Sequence, residues 1–78
     1  MVSNIGLMTK TIYVRLLNEG TDVSRPTEGR AIGEGLYEIL PTIDYDPEDE
    51  EWEFPPGSRV RIAKRESEGG EYFVAVRE

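Results

Sequence analysis

Apolar and polar side chains alternate along residues 9–17, 59–66 and 71–76. This two-residue period is typical of a strand that buries one face, because successive side chains of a strand point to opposite sides. Two shorter apolar runs, residues 30–32 and 36–40, flank a Gly-Glu-Gly sequence and indicate a tight hairpin. The pattern therefore predicts five short strands.

Proline and glycine interrupt nearly every stretch of about ten residues, so no helix is predicted. Only residues 47–51 suit a single helical turn, because Pro47 fits the first helical position. Short strands and tight turns predict an all-β fold, a five-stranded SH3-like antiparallel barrel with a long acidic loop between its third and fourth strands. An OB-like barrel is the alternative, but it usually carries a helix between its middle strands. The barrel would occupy residues 9–78, and residues 1–8 would form a flexible tail or an extra strand.

The strand period also predicts which residues form the hydrophobic core. Arg25-Pro26 is expected to interrupt regular pairing, because proline has no N–H to donate. The positions expected to face inward are Ile12, Val14, Leu16, Val23, Ile32, Leu36, Ile39, Phe54, Val60, Ile62, Tyr72, Val74 and Val76.

The composition narrows the possible functions. The chain has 78 residues, with no cysteine and no histidine, so it lacks the commonest general base and the usual soft metal ligands. No serine or lysine has a histidine to activate it, and so small a barrel offers no deep cleft for paired carboxylates. We therefore expect no enzyme and no cofactor. No apolar run approaches the length of a membrane span, and a cytoplasmic protein is expected.

Residues 44–53, called the acidic segment below, carry the whole net charge of the chain. The chain has 16 acids and 9 bases, and its net charge is −7. The acidic segment holds seven carboxylates and no base, so nine acids face nine bases elsewhere. Its candidate partner-binding residues are Asp44, Tyr45, Asp46, Glu48, Asp49, Glu50, Glu51, Trp52 and Glu53.

This charge density favours a basic protein partner over direct contact with nucleic acid, whose phosphates would be repelled. The carboxylate spacing in an extended segment is comparable to that of duplex phosphates, so a phage-type nucleic-acid mimic that blocks a defence complex is the concrete variant. Tyr45 and Trp52 would anchor the contact. The alternative is a solvated loop in which Trp52 and Phe54 close the barrel core. The sequence is compatible with a monomer or a homodimer.

The opening of the acidic segment, Asp44-x-Asp46-x-Glu48, is similar to a calcium loop, but the match fails further on. The sixth position requires glycine and is Asp49, and the twelfth requires a bidentate glutamate and is Pro55. No metal site is predicted.

A second hypothesis concerns the basic residues that follow the acidic segment. A basic strand next to Tyr72 or Phe73 could bind single-stranded nucleic acid through backbone contacts and base stacking. Pairing of these bases with nearby carboxylates is the simpler interpretation. The alternative nucleic-acid-binding residues are Arg59, Arg61, Lys64 and Arg65.

Four motifs occur in a fixed order along the chain. They are Ile-Tyr-Val-Arg-Leu-Leu at residues 12–17, Glu-Gly-Thr-Asp-Val at 19–23, Arg-Pro at 25–26 and Trp-Glu-Phe-Pro-Pro-Gly-Ser at 52–58. Because these motifs occur in this order, the chain resembles a group of small uncharacterised bacterial proteins. The resemblance implies an SH3-like fold and brings no established activity. That group has an aromatic residue where this chain has Ser24, so any groove lined by the aromatic would be incomplete here.

Overall fold

The computed structural model describes residues 9–20 and 22–78, and the part of the chain that it describes is all-β. The prediction for residues 1–8 lies outside the described residues. No helix long and apolar enough to cross a membrane occurs within the described ranges. The strands are β1 (Thr9–Leu17), β2 (Ser24–Gly33), β3 (Leu36–Ile39), β4 (Glu51–Trp52), β5 (Arg59–Ser67) and β6 (Gly70–Arg77).

Five of the strands pair in a ring, in the order β1, β2, β3, β5, β6 and back to β1. Each pair of neighbours in the ring is antiparallel except β6 and β1, which pair in parallel through Tyr13 and Val74. The wholly antiparallel order predicted from the sequence is therefore wrong at this closure. An odd number of alternating strands leaves the first and last running in the same direction, which makes a parallel closure unavoidable.

The short strand β4 lies beyond the end of β6 on the same edge of β1. It pairs antiparallel with the last two residues of β1, joining Leu16 to Trp52 and Leu17 to Glu51. The Glu53 amide continues this contact by donating to the Arg15 carbonyl at 2.8 Å. The end of the acidic segment is thus part of the sheet, although the sequence predicted a loop there.

Strand β2 begins six residues earlier than predicted and runs through Pro26. Pro26 pairs with Tyr13 of β1, whereas the pairing of β2 with β3 starts only at Gly29. Pro26 therefore has β1 on one side and no strand on the other. The missing N–H belongs to the side without a strand, where no ladder hydrogen bond is lost. The predicted interruption at Arg25-Pro26 is therefore wrong.

The core lies inside the ring and contains aliphatic residues of β1, β3 and β5 together with Trp52 of the acidic segment and Phe54, which follows it. Val23, Tyr37, Tyr45, Ile62 and Ala75 are partly buried and pack against it. The buried hydrophobic residues are Ile12, Val14, Leu16, Ile39, Trp52, Phe54 and Val60.

The predicted core was wrong for the face of β6, for Leu36, which is only half-buried and lies outside the core cluster, and for Ile32, which is exposed. Register explains β6: Ile62 pairs with Ala75, so Ala75 faces the core and its neighbours Val74 and Val76 face outward. Tyr72 shares that outer face, where all three side chains are half-buried. Both faces of β6 carry apolar residues, so its period alone could not decide which one is buried.

We expect Gly29→Ala to lower the free energy of unfolding by about 1–3 kcal/mol, the usual effect of overpacking a core. A Cβ at Gly29 would overlap Cδ1 of Ile12 and lie 3.3 Å from its Cγ1, and Ile12 is fully buried. Gly20→Ala is the matched control, because no atom lies within 4 Å of its Cβ position. Urea unfolding of both variants measures the difference, and equal stabilities would contradict this packing.

Candidate functional site

The acidic segment leaves β3 through two turns and then returns to the sheet. Within it, the amides of Asp49 and Glu50 both donate to the Asp46 carbonyl at 3.0 Å, which forms one helical turn. The Asp46 side chain caps this turn, because its Oδ1 accepts from the Glu48 amide at 2.9 Å. Pro47 occupies the first position, where it loses no hydrogen bond. The one turn that the sequence allows around residues 47–51 is present.

Glu50 points toward the barrel and links the acidic segment to β2. Arg25 donates twice to its carboxylate, from Nε to Oε1 at 3.2 Å and from Nη2 to Oε2. The Trp52 indole N–H donates to the same Oε1 at 3.1 Å. The Glu50 side chain is 17% exposed, against 41% for Arg25. Its oxygens are therefore engaged within the fold.

Trp52 is only 3% exposed and belongs to the core. Tyr45 packs edge-on against it, with ring centroids 4.8 Å apart and planes at 69°. Such aromatic pairs contribute about 0.5–1.5 kcal/mol beyond the area that they bury. Neither ring is exposed as an anchor for a partner would be. Trp52 lies in the core, as the alternative interpretation expected, and Tyr45 packs against it, so the two rings hold the acidic segment on the barrel.

The other six carboxylates of the acidic segment are exposed, and two of them have local partners. Asp46 caps the turn, and Glu51 accepts a hydrogen bond from the Asn18 amide group. Within residues 9–20 and 22–78, the remaining four carboxylates have neither a hydrogen bond nor an ion pair. We call these the free carboxylates; they are Asp44, Glu48, Asp49 and Glu53.

Ile43 immediately precedes the free carboxylates and has a relative exposure of 106%, so its side chain stands entirely in solvent. Sequence reasoning missed this residue because it belongs to no strand pattern. The available signal was its isolation: Ile43 is a single aliphatic residue between Thr42 and Asp44 in an otherwise polar loop. An exposed isoleucine beside acidic residues gives this surface an apolar contact point.

The basic residues of the second hypothesis do not form one stripe. Lys64 lies on the opposite face of β5 from Arg61 and Arg65 and is 3.5 Å from Glu71. Arg59 is 3.6 Å from the carboxylate of Glu78. Only Arg61 and Arg65 remain without a carboxylate partner among the described residues.

A shallow groove crosses the outer face where β1, β2 and β6 meet. The rings of Tyr13 and Tyr72 meet edge-on there, with centroids 5.4 Å apart, and Ser24 lines the groove beside them. Whether an aromatic residue in place of Ser24 would complete this groove stays a prediction. Nowhere in the described ranges, the acidic segment included, do three acidic side chains converge in a way that could hold a metal ion.

Comparison of the chain with protein-family models, curated proteins and solved structures found no match.

We expect Arg25→Ala to lower the free energy of unfolding by about 1–3 kcal/mol, because it leaves a mostly buried carboxylate without its cation. Arg15→Ala is the control. It removes a surface ion pair to Asp22 whose side chains are 61% and 94% exposed, and such pairs contribute less than about 1 kcal/mol. Denaturation followed by the fluorescence of Trp52 measures both. A loss no greater for Arg25→Ala than for Arg15→Ala would contradict the role assigned to Glu50.

Proposed function

We propose that this protein is a non-catalytic, cytoplasmic binding protein that presents its acidic segment to a basic surface of a protein partner. We also propose that the uneven ring of five strands is a small, partly open barrel of the SH3-like kind. The observation that best supports the binding role is that some residues of the acidic segment contact the barrel and others face solvent. Glu50 and Trp52 hold the segment on the barrel, while the four free carboxylates point to solvent.

Anchoring matters because an ordered charge cluster loses less conformational entropy on binding than a mobile one. The capped turn and the β4 pairing fix the backbone on both sides of Glu48 and Asp49. Fixed carboxylates also create a directed negative field, which raises the rate of encounter with a basic partner. Ile43 replaces the aromatic residues as the apolar contact of this surface, since its whole side chain is available.

The concrete variant of the proposal is a phage-type inhibitor that occupies the nucleic-acid-binding cleft of a defence complex. Such clefts are lined by lysine and arginine side chains that bind phosphates in any sequence. The free carboxylates would meet these side chains in place of phosphates. Duplex DNA should then displace the protein from the partner. DNA should not displace it from a partner whose basic surface does not bind nucleic acid.

We expect the quadruple variant D44N/E48Q/D49N/E53Q to lose the partner that the wild-type protein captures from host lysate. Asp46, Glu50 and Glu51 stay unchanged in this variant because each has a contact within the fold. The matched control E19Q/E34Q/E66Q/E68Q removes the same number of exposed charges elsewhere. It should retain the partner. Loss of capture by both variants would show that binding depends on the net charge of the protein and not on the acidic segment. Equal capture by the wild type and D44N/E48Q/D49N/E53Q would overturn the proposal.

We expect Ile43→Ser to weaken binding to the captured partner by about tenfold, the effect of losing roughly 1.4 kcal/mol of apolar contact. Its side chain touches no core residue, so the unfolding midpoint should not fall. Titration of the purified partner with both proteins measures the difference. Ile32→Ser, a second exposed isoleucine outside the acidic segment, is the control and should bind as the wild type does. Unchanged binding by Ile43→Ser would remove Ile43 from the interface.

A further inference from the structure

A groove lies on the outside of the barrel, between β2 and the loop that leaves β3. It has a volume of about 320 Å³, and its apolar lining includes Pro26, Pro41 and Ile43. Thr11 and Glu28, which pair across β1 and β2, form the wall on the side of the sheet. We call this site the proline groove. It adjoins the acidic segment, because Ile43 directly precedes that segment.

The path of the chain after β3 creates the proline groove. The Leu40 amide donates to the Glu28 carbonyl at 2.9 Å and continues the β2–β3 ladder by one bond. The chain then turns away from β2, since the Tyr45 amide donates to the Thr42 carbonyl at 3.1 Å and closes a tight turn. A gap therefore opens between this turn and β2.

Hydrogen bonds within the fold hold the walls of the groove in place. Thr27 is buried, and its hydroxyl donates to the Leu40 carbonyl, which fixes the start of the loop on β2. Thr11 donates from Oγ1 to Oε2 of Glu28 at 3.2 Å. The two proline rings of the lining have restricted backbones. A ligand would therefore order few further groups of the protein on binding, which keeps the entropy cost small.

The charge at the proline groove is negative. Glu28 lines the groove and, among the residues that the structure describes, has no ion pair. Asp44 follows Ile43 in the turn and is one of the free carboxylates. The described part of the chain contributes no lysine or arginine to the lining. An apolar groove with carboxylates beside it complements an aliphatic side chain that has basic neighbours.

We propose that the proline groove binds one aliphatic side chain of the basic partner, and that basic residues on either side of it contact Glu28 and Asp44. This inference rests on the proposed function and extends the contact from the acidic segment to the outer face of β1 and β2. Side chains two residues apart in an extended chain point to the same side, so the sequence recognised is basic-x-aliphatic-x-basic. Burial of the aliphatic side chain would supply most of the affinity, because exposed ion pairs contribute little.

Two other occupants fit the proline groove less well. If Ile43 of one copy of the chain entered the groove of another, Asp44 beside it would approach Glu28 of the second copy, and like charges in contact are destabilising. Each copy also carries a net charge of −7. Nucleic acid is disfavoured for the same reason, since its phosphates would meet Glu28. A basic protein segment is the occupant that satisfies both the apolar lining and the charge.

The blocked peptide Arg-Thr-Leu-Thr-Arg is the probe, titrated into the full-length protein and followed by nuclear magnetic resonance. We expect the amide signals of Thr11, Thr27 and Ile43 to shift. The matched peptide Arg-Thr-Ser-Thr-Arg keeps both charges and should bind about tenfold more weakly or worse, because it has no aliphatic side chain to bury. Equal binding of the two peptides, or no shift at the groove with either, would overturn the proposal.

Variants of Thr11 test the groove without changing any charge. Thr11→Tyr places a large ring in the groove and should weaken binding of the leucine peptide by more than about tenfold. Tyrosine suits an exposed strand position, so the fold should persist. Thr11→Ser is the control, because it keeps both the space and the hydroxyl that donates to Glu28. Binding to Thr11→Tyr with wild-type affinity would overturn the proposal, and the two peptides decide the matter if that variant does not fold.

Charge variants test the basic neighbours of the aliphatic side chain. Glu28→Gln keeps an acceptor for Thr11 and should weaken binding of the leucine peptide by about threefold, the effect of one exposed ion pair. Glu34→Gln removes an exposed carboxylate outside the groove and should bind as the wild type does. Equal loss in the two variants would show that only the net charge of the protein attracts the peptide, which contradicts the proposed contact.

The free protein offers two further tests. Nuclear Overhauser contacts between Pro41 and residues 1–8 would show that the chain fills its own groove. A dimer of the wild type that dissociates in Thr11→Tyr would show that a second copy fills it. Either result would overturn the proposal, and we expect neither.

The partner captured from lysate separates this inference from the proposed function. We expect D44N/E48Q/D49N/E53Q and Thr11→Tyr each to weaken its binding. If only the charge variant does so, the acidic segment binds the partner without the groove, and this inference alone is wrong. If only Thr11→Tyr does so, the groove binds the partner and the proposed role of the free carboxylates is wrong.

Discussion

The structure depends on one carboxylate, that of Glu50, which accepts hydrogen bonds from Arg25 and from the indole of Trp52. These contacts join the start of β2, the end of the acidic segment and the hydrophobic core. A buried indole N–H without an acceptor, or a mostly buried carboxylate without its cation, would carry a desolvation penalty of about 1–3 kcal/mol. Glu50 therefore stabilises the burial of Trp52, and Arg25 stabilises the burial of Glu50.

This constraint also determines the surface. Turning Glu50 inward fixes the helical turn between Asp46 and Glu50, and the pairing of Trp52 with Leu16 fixes the chain that follows. The free carboxylates are left on the outer side of the acidic segment, because Tyr45 and Trp52 pack its inner side against the core. The excess negative charge of the chain is thus displayed at one place.

The alternating pattern was sufficient to predict β1 to the residue, since only one of its faces is apolar. It failed for β6, where Tyr72 and Val74 on one face compete with Phe73 and Ala75 on the other, and only pairing with β5 selects Ala75. The partnership of Glu50 with Arg25 could not be predicted from spacing, because 25 residues separate them and six similar carboxylates surround Glu50. The exposure of Ile43 could not be predicted either, because it depends on the path of the loop that follows β3.

Hydrogen exchange of the Trp52 indole N–H tests the anchoring of the acidic segment most directly. Trp52 is the only tryptophan of the chain, so its indole proton gives a single resolved resonance. If Glu50 holds it in the core, it should exchange more slowly than a free indole by about a hundredfold or more, as protected groups in stable structure do. Exchange at the rate of an unstructured peptide would show that Trp52 is open to solvent, and the fixed display of carboxylates would then be wrong.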